Sequence, residues 1–408
     1  MVITKTLSNG LRIIYEKIPY VKSVSVGVWA GVGSRLETPE NNGISHFAEH
    51  MLFKGTEKRT AQDIAEEMDF IGGYLNAFTS RECTCYYAKV IDKNLDTAVE
   101  ILADMYINSM FAESDIELER KVIIEEINMY EDSPEDVVLD LLGRAAWGSD
   151  SLGFSVSGTA ENVNAIGTDA LLAFTEKYYT AENTVISVVG SFDEVQLTEC
   201  IEKNFGSMRT GGLSYTDCGK PEFAGDCLTR QKDIEQTHLV FGFEGPEADS
   251  DDIYAEAVLS NVFGAAMSSR LFRRVREEKG LAYSIYSAPE SYSGAGLFYI
   301  YAALSCENLE LVRDIILSEI ELLKKDGISE NELLKGKGQL RGSYIMSLES
   351  TGQRMNALGK TYVLGERLKT PEEILAGIDA VDMNKINSMT DRIFSGKMAV
   401  GIVTNTDF

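Results

Sequence analysis

Apolar residues in the first third of the chain follow two different periods. Four stretches alternate apolar and polar residues and predict strands near 11–17, 22–31, 74–80 and 83–91. Four others repeat apolar residues every three or four positions and predict helices near 44–54, 61–71, 93–109 and 114–131. Adjacent strand pairs with helices grouped around them predict an α+β domain, since a wound α/β domain would alternate strand and helix.

The same pattern returns in the second part of the chain at a nearly constant offset. Three pairs of positions agree on this shift, namely Asn94 with Asn308, Ser114 with Ser329, and Asp169 with Asp382. Ser114 and Ser329 each precede a helical pattern with an acid three positions on, which predicts a capping box at both places. The chain is therefore predicted to consist of two homologous α+β halves.

The segment between the halves, GSMRTGGLSYTDCGKPEFAGD, is rich in glycine and turn-forming residues and lacks periodicity. We therefore expect a first half at 1–208, a linker at 209–227 and a second half at 228–408. A chain of 408 residues, 44% of them hydrophobic, is long enough to bury two cores.

Charge and composition narrow the range of partners. Acidic residues outnumber basic ones by 64 to 38, so the formal net charge is −26. Such a chain repels phosphate backbones, which argues against nucleic acid and anionic membranes and favours cationic ligands. The opening MVITKTLSNGLRIIYEKIPY lacks the apolar core of a signal peptide, so a cytoplasmic location is expected. The 6 cysteines are too scattered for a disulfide framework and are expected to be reduced.

The candidate chemistry lies in the predicted helix of GISHFAEHMLFKG, which contains His46, Glu49 and His50. Positions i, i+3 and i+4 of a helix share one face. Two imidazoles one turn apart can bind one zinc ion, and the carboxylate between them can reach a metal-bound water. Histidine occurs only 3 times in the chain, and two occurrences have this spacing, so a chance pair of core histidines is the weaker interpretation.

A catalytic zinc needs a third protein ligand, and the predicted helix SDIELERKVIIEEINMYED offers several acids. Here the sequence resembles the pitrilysin and mitochondrial processing peptidase family, the inverzincins with an HxxEH motif. In that family a glutamate follows the second histidine at a characteristic distance along the chain, which implies Glu126 as the third ligand and one zinc per chain. The resemblance extends to GGYLNAFTSRECTCYYAKV, to SSRLFRRVREEKGLAYSIYS and to the duplicated architecture.

The resemblance implies further site residues. Glu119, two turns before Glu126, is implied as a second acid that orients a ligand or shares proton transfer, with an ordinary solvated glutamate as the alternative. Arg276 and Tyr283 match the family's pair that completes the site, with a surface arginine and a core tyrosine as the alternative. The strand that contains Asn76, Ala77, Phe78 and Thr79 resembles the family's substrate-binding edge, although an ordinary internal strand fits the pattern as well.

The second half provides an internal control. At the duplicated positions, Ala255, Val258 and Leu259 replace the HxxEH residues, while Leu334 and Arg341 stand opposite Glu119 and Glu126. The same scaffold is therefore expected to fold without these polar groups, which favours a functional interpretation of them.

These observations predict a zinc-dependent endopeptidase that hydrolyses unstructured or extended peptides, with a preference for basic ones and with Glu49 as general base. The family resemblance implies a closable, clamshell-like chamber between the halves and a homodimer. One alternative is a catalytically silent structural or regulatory subunit of a processing-peptidase-like complex. A purely structural zinc site is the other, but such sites usually have four ligands rich in cysteine.

Overall fold

The computed structural model describes residues 2–211 and 218–406, which divide into two compact units. Unit 1 comprises Met1–Ile127, Ser155–Cys218 and Met346–Leu368, and unit 2 comprises Asn128–Phe154, Gly219–Ile345 and Lys369–Phe408. Unit 1 is thus built mostly from the first half of the sequence and includes one short segment of the second half. Unit 2 is built mostly from the second half and includes one short segment of the first. Residues 212–217 of the predicted linker lie outside the described residues, and 218–226 form neither helix nor strand.

The strands and helices up to Phe205 follow the predicted order. They are β1 Val2–Thr6, β2 Arg12–Lys17, β3 Ser23–Ala30, α1 Ile44–Met51, α2 Ala61–Phe70, β4 Tyr74–Thr79, β5 Thr84–Ile91, α3 Leu95–Asn108, α4 Glu113–Glu131, α5 Pro134–Trp147, α6 Ala160–Ala165, α7 Thr168–Tyr178, β6 Thr184–Gly190 and α8 Glu194–Phe205. All four predicted strands and all four predicted helices are present.

The later elements repeat this order. They are β7 Cys227–Gln231, β8 Gln236–Glu244, α9 Ile253–Ser260, β9 Ala282–Tyr292, β10 Ala295–Ser305, α10 Leu309–Asp326, α11 Glu330–Ser347, α12 Thr351–Val363, α13 Pro371–Asp379, α14 Met383–Phe394 and β11 Met398–Thr404. Two π-helical segments, Asn261–Ala265 and Phe272–Glu277, lie between α9 and β9.

One of the two predicted capping boxes is present. At the start of α11 the Ser329 backbone N–H donates to the Glu332 carboxylate (2.8 Å), and the Glu332 N–H donates to Ser329 Oγ (3.3 Å). The prediction for Ser114 was wrong, because α4 begins at Glu113 and Ser114 lies inside its first turn. The backbone N–H groups of the two residues after Ser114 donate to the carbonyl of Ala112, so the helix starts before the serine.

The sheets of the two units have the same strand order. In unit 1 the order is β1-β2-β6-β3-β5-β4, and in unit 2 it is β7-β11-β8-β10-β9. The corresponding pairs β2 with β6 and β7 with β11 are parallel, and the remaining shared pairs are antiparallel. The prediction of two homologous α+β halves is therefore confirmed, and β1 is the one strand without a counterpart in the described part of unit 2.

Each sheet has helices on both faces. The helices on one face come from the same half of the sequence as the strands, and the helix on the opposite face comes from the second half of the sequence for unit 1 and from the first half for unit 2. In unit 1, α1, α3 and their neighbours contribute to one core, and α12 packs on β3 and β6 on the opposite face. In unit 2, α9, α10 and α14 contribute to one core, and α5 packs on β8 and β11 on the opposite face. Helices α5 and α12 are thus exchanged between the halves.

The contact of α12 with the first sheet is close because two glycines allow it. A Cβ atom on Gly359 would lie 2.1 Å from the indole nitrogen of Trp29, and one on Gly27 would lie 2.5 Å from the sulfur of Met355. The Trp29 indole N–H donates to Ser187 Oγ (2.9 Å), which fixes the ring in this position. A side chain at Gly359 would therefore displace α12 or the buried tryptophan.

Candidate active site

Helix α1, which contains the HxxEH motif, is fixed at its N-terminus by Glu37. This buried carboxylate accepts hydrogen bonds from the backbone N–H groups of Gly43 and Ser45 and from Asn42 Nδ2, each at 2.8 Å. The N-cap residue, Gly43, has φ +101°, and a Cβ atom there would lie 2.8 Å from the carbonyl oxygen of Ser157. Because Gly43 has no side chain to cap the helix, Glu37 satisfies N–H groups that otherwise lack a partner.

The structure brings the three predicted metal ligands together in unit 1. His46 and His50 project from α1, and Glu126 projects from the middle of α4. The two Nε2 atoms lie 3.3 Å apart, and Glu126 Oε2 lies 3.8 Å from the first and 3.4 Å from the second. Among the described residues this is the one group of three or more His, Cys, Asp or Glu side chains close enough to hold a metal ion.

These separations fit a zinc ion. A tetrahedral centre about 2.0–2.1 Å from each ligand atom separates those atoms by about 3.3–3.4 Å. Two of the three observed distances match that value, and the third is longer by a few tenths of an ångström. A set of two imidazoles and one carboxylate also leaves one coordination position open, as a catalytic site requires.

Glu119 lies beside His50, as the family resemblance implied. Its Oε1 atom is 2.9 Å from His50 Nδ1, and its Oε2 atom is 2.5 Å from the ammonium group of Lys54. Glu119 is only 6% exposed, which rules out the alternative of an ordinary solvated side chain. Lys54 was missed from the sequence, although it lies one turn beyond His50 on the same segment.

The surroundings shift the pKa values of the two histidines in opposite directions. Burial, with help from the charge on His50, lowers the pKa of His46 to about 4. Burial alone would also lower the pKa of His50, but hydrogen bonds to Glu119 and Glu126 outweigh it and raise the pKa to about 9. Burial would raise the pKa of Glu119, but His50 and Lys54 outweigh it and hold the pKa below its ordinary value.

Glu49 lies on the same face of α1 and contacts the neighbouring strand. Its Oε2 atom accepts a hydrogen bond from Thr79 Oγ1 at 2.5 Å. Burial raises the pKa of the Glu49 carboxyl, and the hydrogen bond from Thr79 opposes that change. A carboxylate with a raised pKa is a stronger proton acceptor than an ordinary one, which suits a general base.

The predicted substrate strand is β4, which lies at the edge of its sheet and pairs only with β5 among the described strands. Within it, the Ala77 backbone N–H donates to Asn76 Oδ1 (2.8 Å), and Thr79 contacts Glu49 as described. Phe78 instead packs edge-on against Trp29, with ring centroids 5.6 Å apart. The alternative of an internal strand is therefore wrong for β4.

Arg276 and Tyr283 lie together in unit 2. Arg276 is in the last turn of the second π-helical segment, and its guanidinium carbon lies 5.0 Å from the centre of the Tyr283 ring. Tyr283 is 75% exposed, so it is not the core tyrosine of the alternative interpretation. The pair therefore forms an accessible cation–π contact.

The duplicated positions of unit 2 cannot bind a metal in this way. Ala255, Val258 and Leu259 are buried in the core that α9 forms with its sheet. Arg341 of α11 instead pairs with Asp379 at the surface. As predicted, the second half forms the same fold without the polar residues of the HxxEH motif.

Comparisons with known proteins found two matching family models, one after the other along the chain. Residues 12–160 match the family model described as insulinase, peptidase family M16, and residues 165–340 match the peptidase M16 inactive domain. The uncharacterized zinc protease YmxG of Bacillus subtilis is 45% identical over 399 residues, covering 98% of this chain and 97% of that protein. An uncharacterized zinc protease of Rickettsia felis is 37% identical over 402 residues, covering 98% and 97%.

Solved structures share the fold at lower identity. The crystal structure of a protease from Helicobacter pylori superposes with a TM-score of 0.92 at 23% identity and covers 99% of both chains. That of a peptidase M16 inactive domain from Pseudomonas fluorescens gives a TM-score of 0.93 at 18% identity and covers 100% of this chain and 98% of the other. In the described part of this chain, no helix combines the length and apolarity needed to cross a bilayer. The family models and the full-length relatives together show that this chain belongs to the insulinase family of peptidases, family M16.

Proposed function

We propose that this chain is a zinc-dependent endopeptidase that hydrolyses unstructured or extended peptides. The observation that carries the proposal is the convergence of His46 Nε2, His50 Nε2 and a Glu126 carboxylate oxygen, with all three ligand atoms within 4.8 Å of one another. These residues would hold one zinc ion per chain. The names of the relatives, which are called zinc proteases, support the same metal and the same class of reaction.

The catalytic proton transfers are assigned to Glu49. When bound, zinc supplies a Lewis acid that polarises the scissile carbonyl and makes water more acidic. Glu49 takes the proton from the attacking water and then passes it to the departing amine, so that it is a base in the first step and an acid in the second. The hydrogen bond from Thr79 holds the Glu49 carboxylate in one rotamer while it does so.

Glu119 and Lys54 are proposed to position His50 for metal binding. With Nε2 of His50 turned toward the other two ligands, its Nδ1–H donates to Glu119, which fixes both the tautomer and the ring orientation. Lys54 holds the second oxygen of Glu119, so this carboxylate is restrained from both sides.

Strand β4 is proposed to bind the substrate. Its outer edge has no strand partner among the described residues, so an extended peptide can add to the sheet through backbone hydrogen bonds that tolerate many sequences. The Ala77 N–H, which donates to the Asn76 side chain, would become a donor to the peptide, while Thr79 links this strand to Glu49. Folded proteins would be poor substrates because their strands are already paired. Arg276 and Tyr283 are proposed to donate further hydrogen bonds to the peptide.

The decisive experiment combines zinc analysis with digestion of a mixed pool of unstructured peptides, read by mass spectrometry. Glu49→Gln should retain a normal zinc content and lose about 100- to 10,000-fold in turnover, because only the proton acceptor is removed. Glu125 is exposed and adjacent to the proposed ligand Glu126, so Glu125→Gln is a matched control. This variant should retain both zinc and activity. Zinc binding by the unmodified protein without any cleavage would instead support a silent partner subunit.

A further inference from the structure

A polar cavity in unit 2 is lined by none of the residues assigned to the active site. Its volume is about 340 Å³, within the range of sites that bind small metabolites. It forms where the π-helical segment after α9 meets the first half of α11, and most of its lining is polar or charged. The counterparts of the metal ligands, Ala255, Leu259 and Arg341, are not among the lining residues, so the cavity is not a remnant of a second metal site.

One wall of the cavity contains an amide that has no partner among the described residues. Asn261 is 8% exposed, and within the described residues its side chain makes no hydrogen bond. The amide nitrogen and oxygen are not among the buried, unpaired polar atoms of the described residues, so they are accessible. The amide can therefore donate to and accept from a ligand with a complementary polar group.

The single acid that lines the cavity is fully occupied by neighbouring groups. Glu332 accepts two hydrogen bonds from the Arg270 guanidinium, at 2.7 and 2.8 Å, and a third from the Ser329 backbone N–H. Its charge is thus neutralised, and its oxygens already have donors. Glu332 is therefore a fixed part of the wall and does not repel an anion.

Two further cations remain available to a ligand. Lys335 forms no ion pair with any residue that the structure describes, and Arg273 forms only a long one, 3.6 Å from Glu278, with a largely exposed side chain. An exposed pair of that length contributes little. The lining consequently carries net positive charge, although the chain as a whole has a charge of −26.

We propose that this cavity binds a small metabolite that carries anionic oxygens, either phosphate or carboxylate, together with a neutral polar group. Lys335 and Arg273 contact the anionic oxygens, and the Asn261 amide pairs with the neutral group. The site goes beyond the peptidase function and does not depend on it, because its residues lie outside the zinc-binding set.

Isothermal titration of the full chain with inorganic phosphate and with succinate, at constant ionic strength in sodium chloride, tests the proposal and separates the two kinds of anion. We expect saturable binding of at least one of them. Lys335→Met should weaken that binding about tenfold, as loss of a hydrogen bond to a charged group does. The control Lys325→Met removes the same charge from an exposed position of α10 and should leave the affinity unchanged.

Asn261→Leu separates a role in ligand binding from a role in packing. Because it removes an amide that pairs with no described residue and keeps the branching and the number of side-chain heavy atoms, it should weaken binding while the melting temperature changes little. A lower melting temperature would show that the amide serves the fold and would overturn its assignment to a ligand. Absence of saturable binding by both anions, equal binding of glycerol, or binding that Lys335→Met leaves unchanged would each overturn the anion site.

Discussion

The hydrogen bond between His50 and Glu119 allows the role of Glu119 to be measured as zinc affinity. Hydrogen bonds to charged groups are worth about 1.5–3 kcal/mol, which corresponds to about 10- to 150-fold in a dissociation constant. Glu119→Gln keeps an acceptor for the His50 Nδ1–H at 2.9 Å but loses the charge, so we expect zinc affinity to fall about tenfold. Glu119→Leu loses the acceptor as well, and we expect a loss of about 10- to 100-fold.

Competition for zinc with a chromophoric chelator gives these affinities directly, with Glu125→Gln as the control on the same helix. Zinc affinity should be highest for the unmodified protein, lower for Glu119→Gln and lowest for Glu119→Leu. Wild-type zinc affinity in Glu119→Leu would refute the reasoning that this carboxylate positions His50. If that variant also lost activity, Glu119 would belong to the proton transfers instead.

Three further predictions concern the metal, the pH dependence of stability and the substrate. Glu126→Gln should lower zinc content and activity together, because it removes an anionic ligand; full zinc occupancy by metal analysis would point to another third ligand. Burial, opposed only by Arg392, raises the pKa of Glu256 in α9 from 4.5 to about 8, so the native state holds a proton that the unfolded state releases. The free energy of unfolding should therefore fall by about 3–6 kcal/mol as the pH rises from about 4.5 to about 8, and urea titrations should show no such contribution in Glu256→Gln. Because the chain has a charge of −26, peptides rich in Lys and Arg should be cleaved with higher kcat/KM than acidic peptides of equal length. This difference in kcat/KM should shrink as the salt concentration rises. Equal rates for the two kinds of peptide at low salt would contradict the prediction.

Local patterns in the sequence were sufficient to predict the helices and strands of the first half and part of the candidate site. Periodicity within a single segment locates β4, α1 and α4, because burial of one face is a property of the segment itself. The spacing of His46 and His50 likewise fixes their common face, since one helical turn separates them. Glu126 needed the family resemblance, because the acids of α4 differ only in which side of the helix they occupy.

Contacts between distant segments could not be read from the same patterns. Thr79 reaches Glu49 across 30 positions of the chain, and nothing in the composition of either segment indicates the pairing. Glu37 precedes its helix by several residues and acts as a cap only because the intervening loop turns back. The exchange of α5 and α12 was also not predicted, because an amphipathic pattern shows that a helix buries one face but not which sheet covers it.

The exchange of α12 affects how the protein folds during synthesis. The first sheet has all its strands once β6 has been translated, yet the face with Trp29 and Val185 stays uncovered until α12 ends at Val363. At about 5–20 residues per second, this interval on the ribosome lasts about 9–35 s. An apolar sheet face exposed for that long is a target for chaperones and for aggregation with other nascent chains. We therefore expect a fragment that ends after the first half to be insoluble, even though it contains every residue of the proposed zinc site.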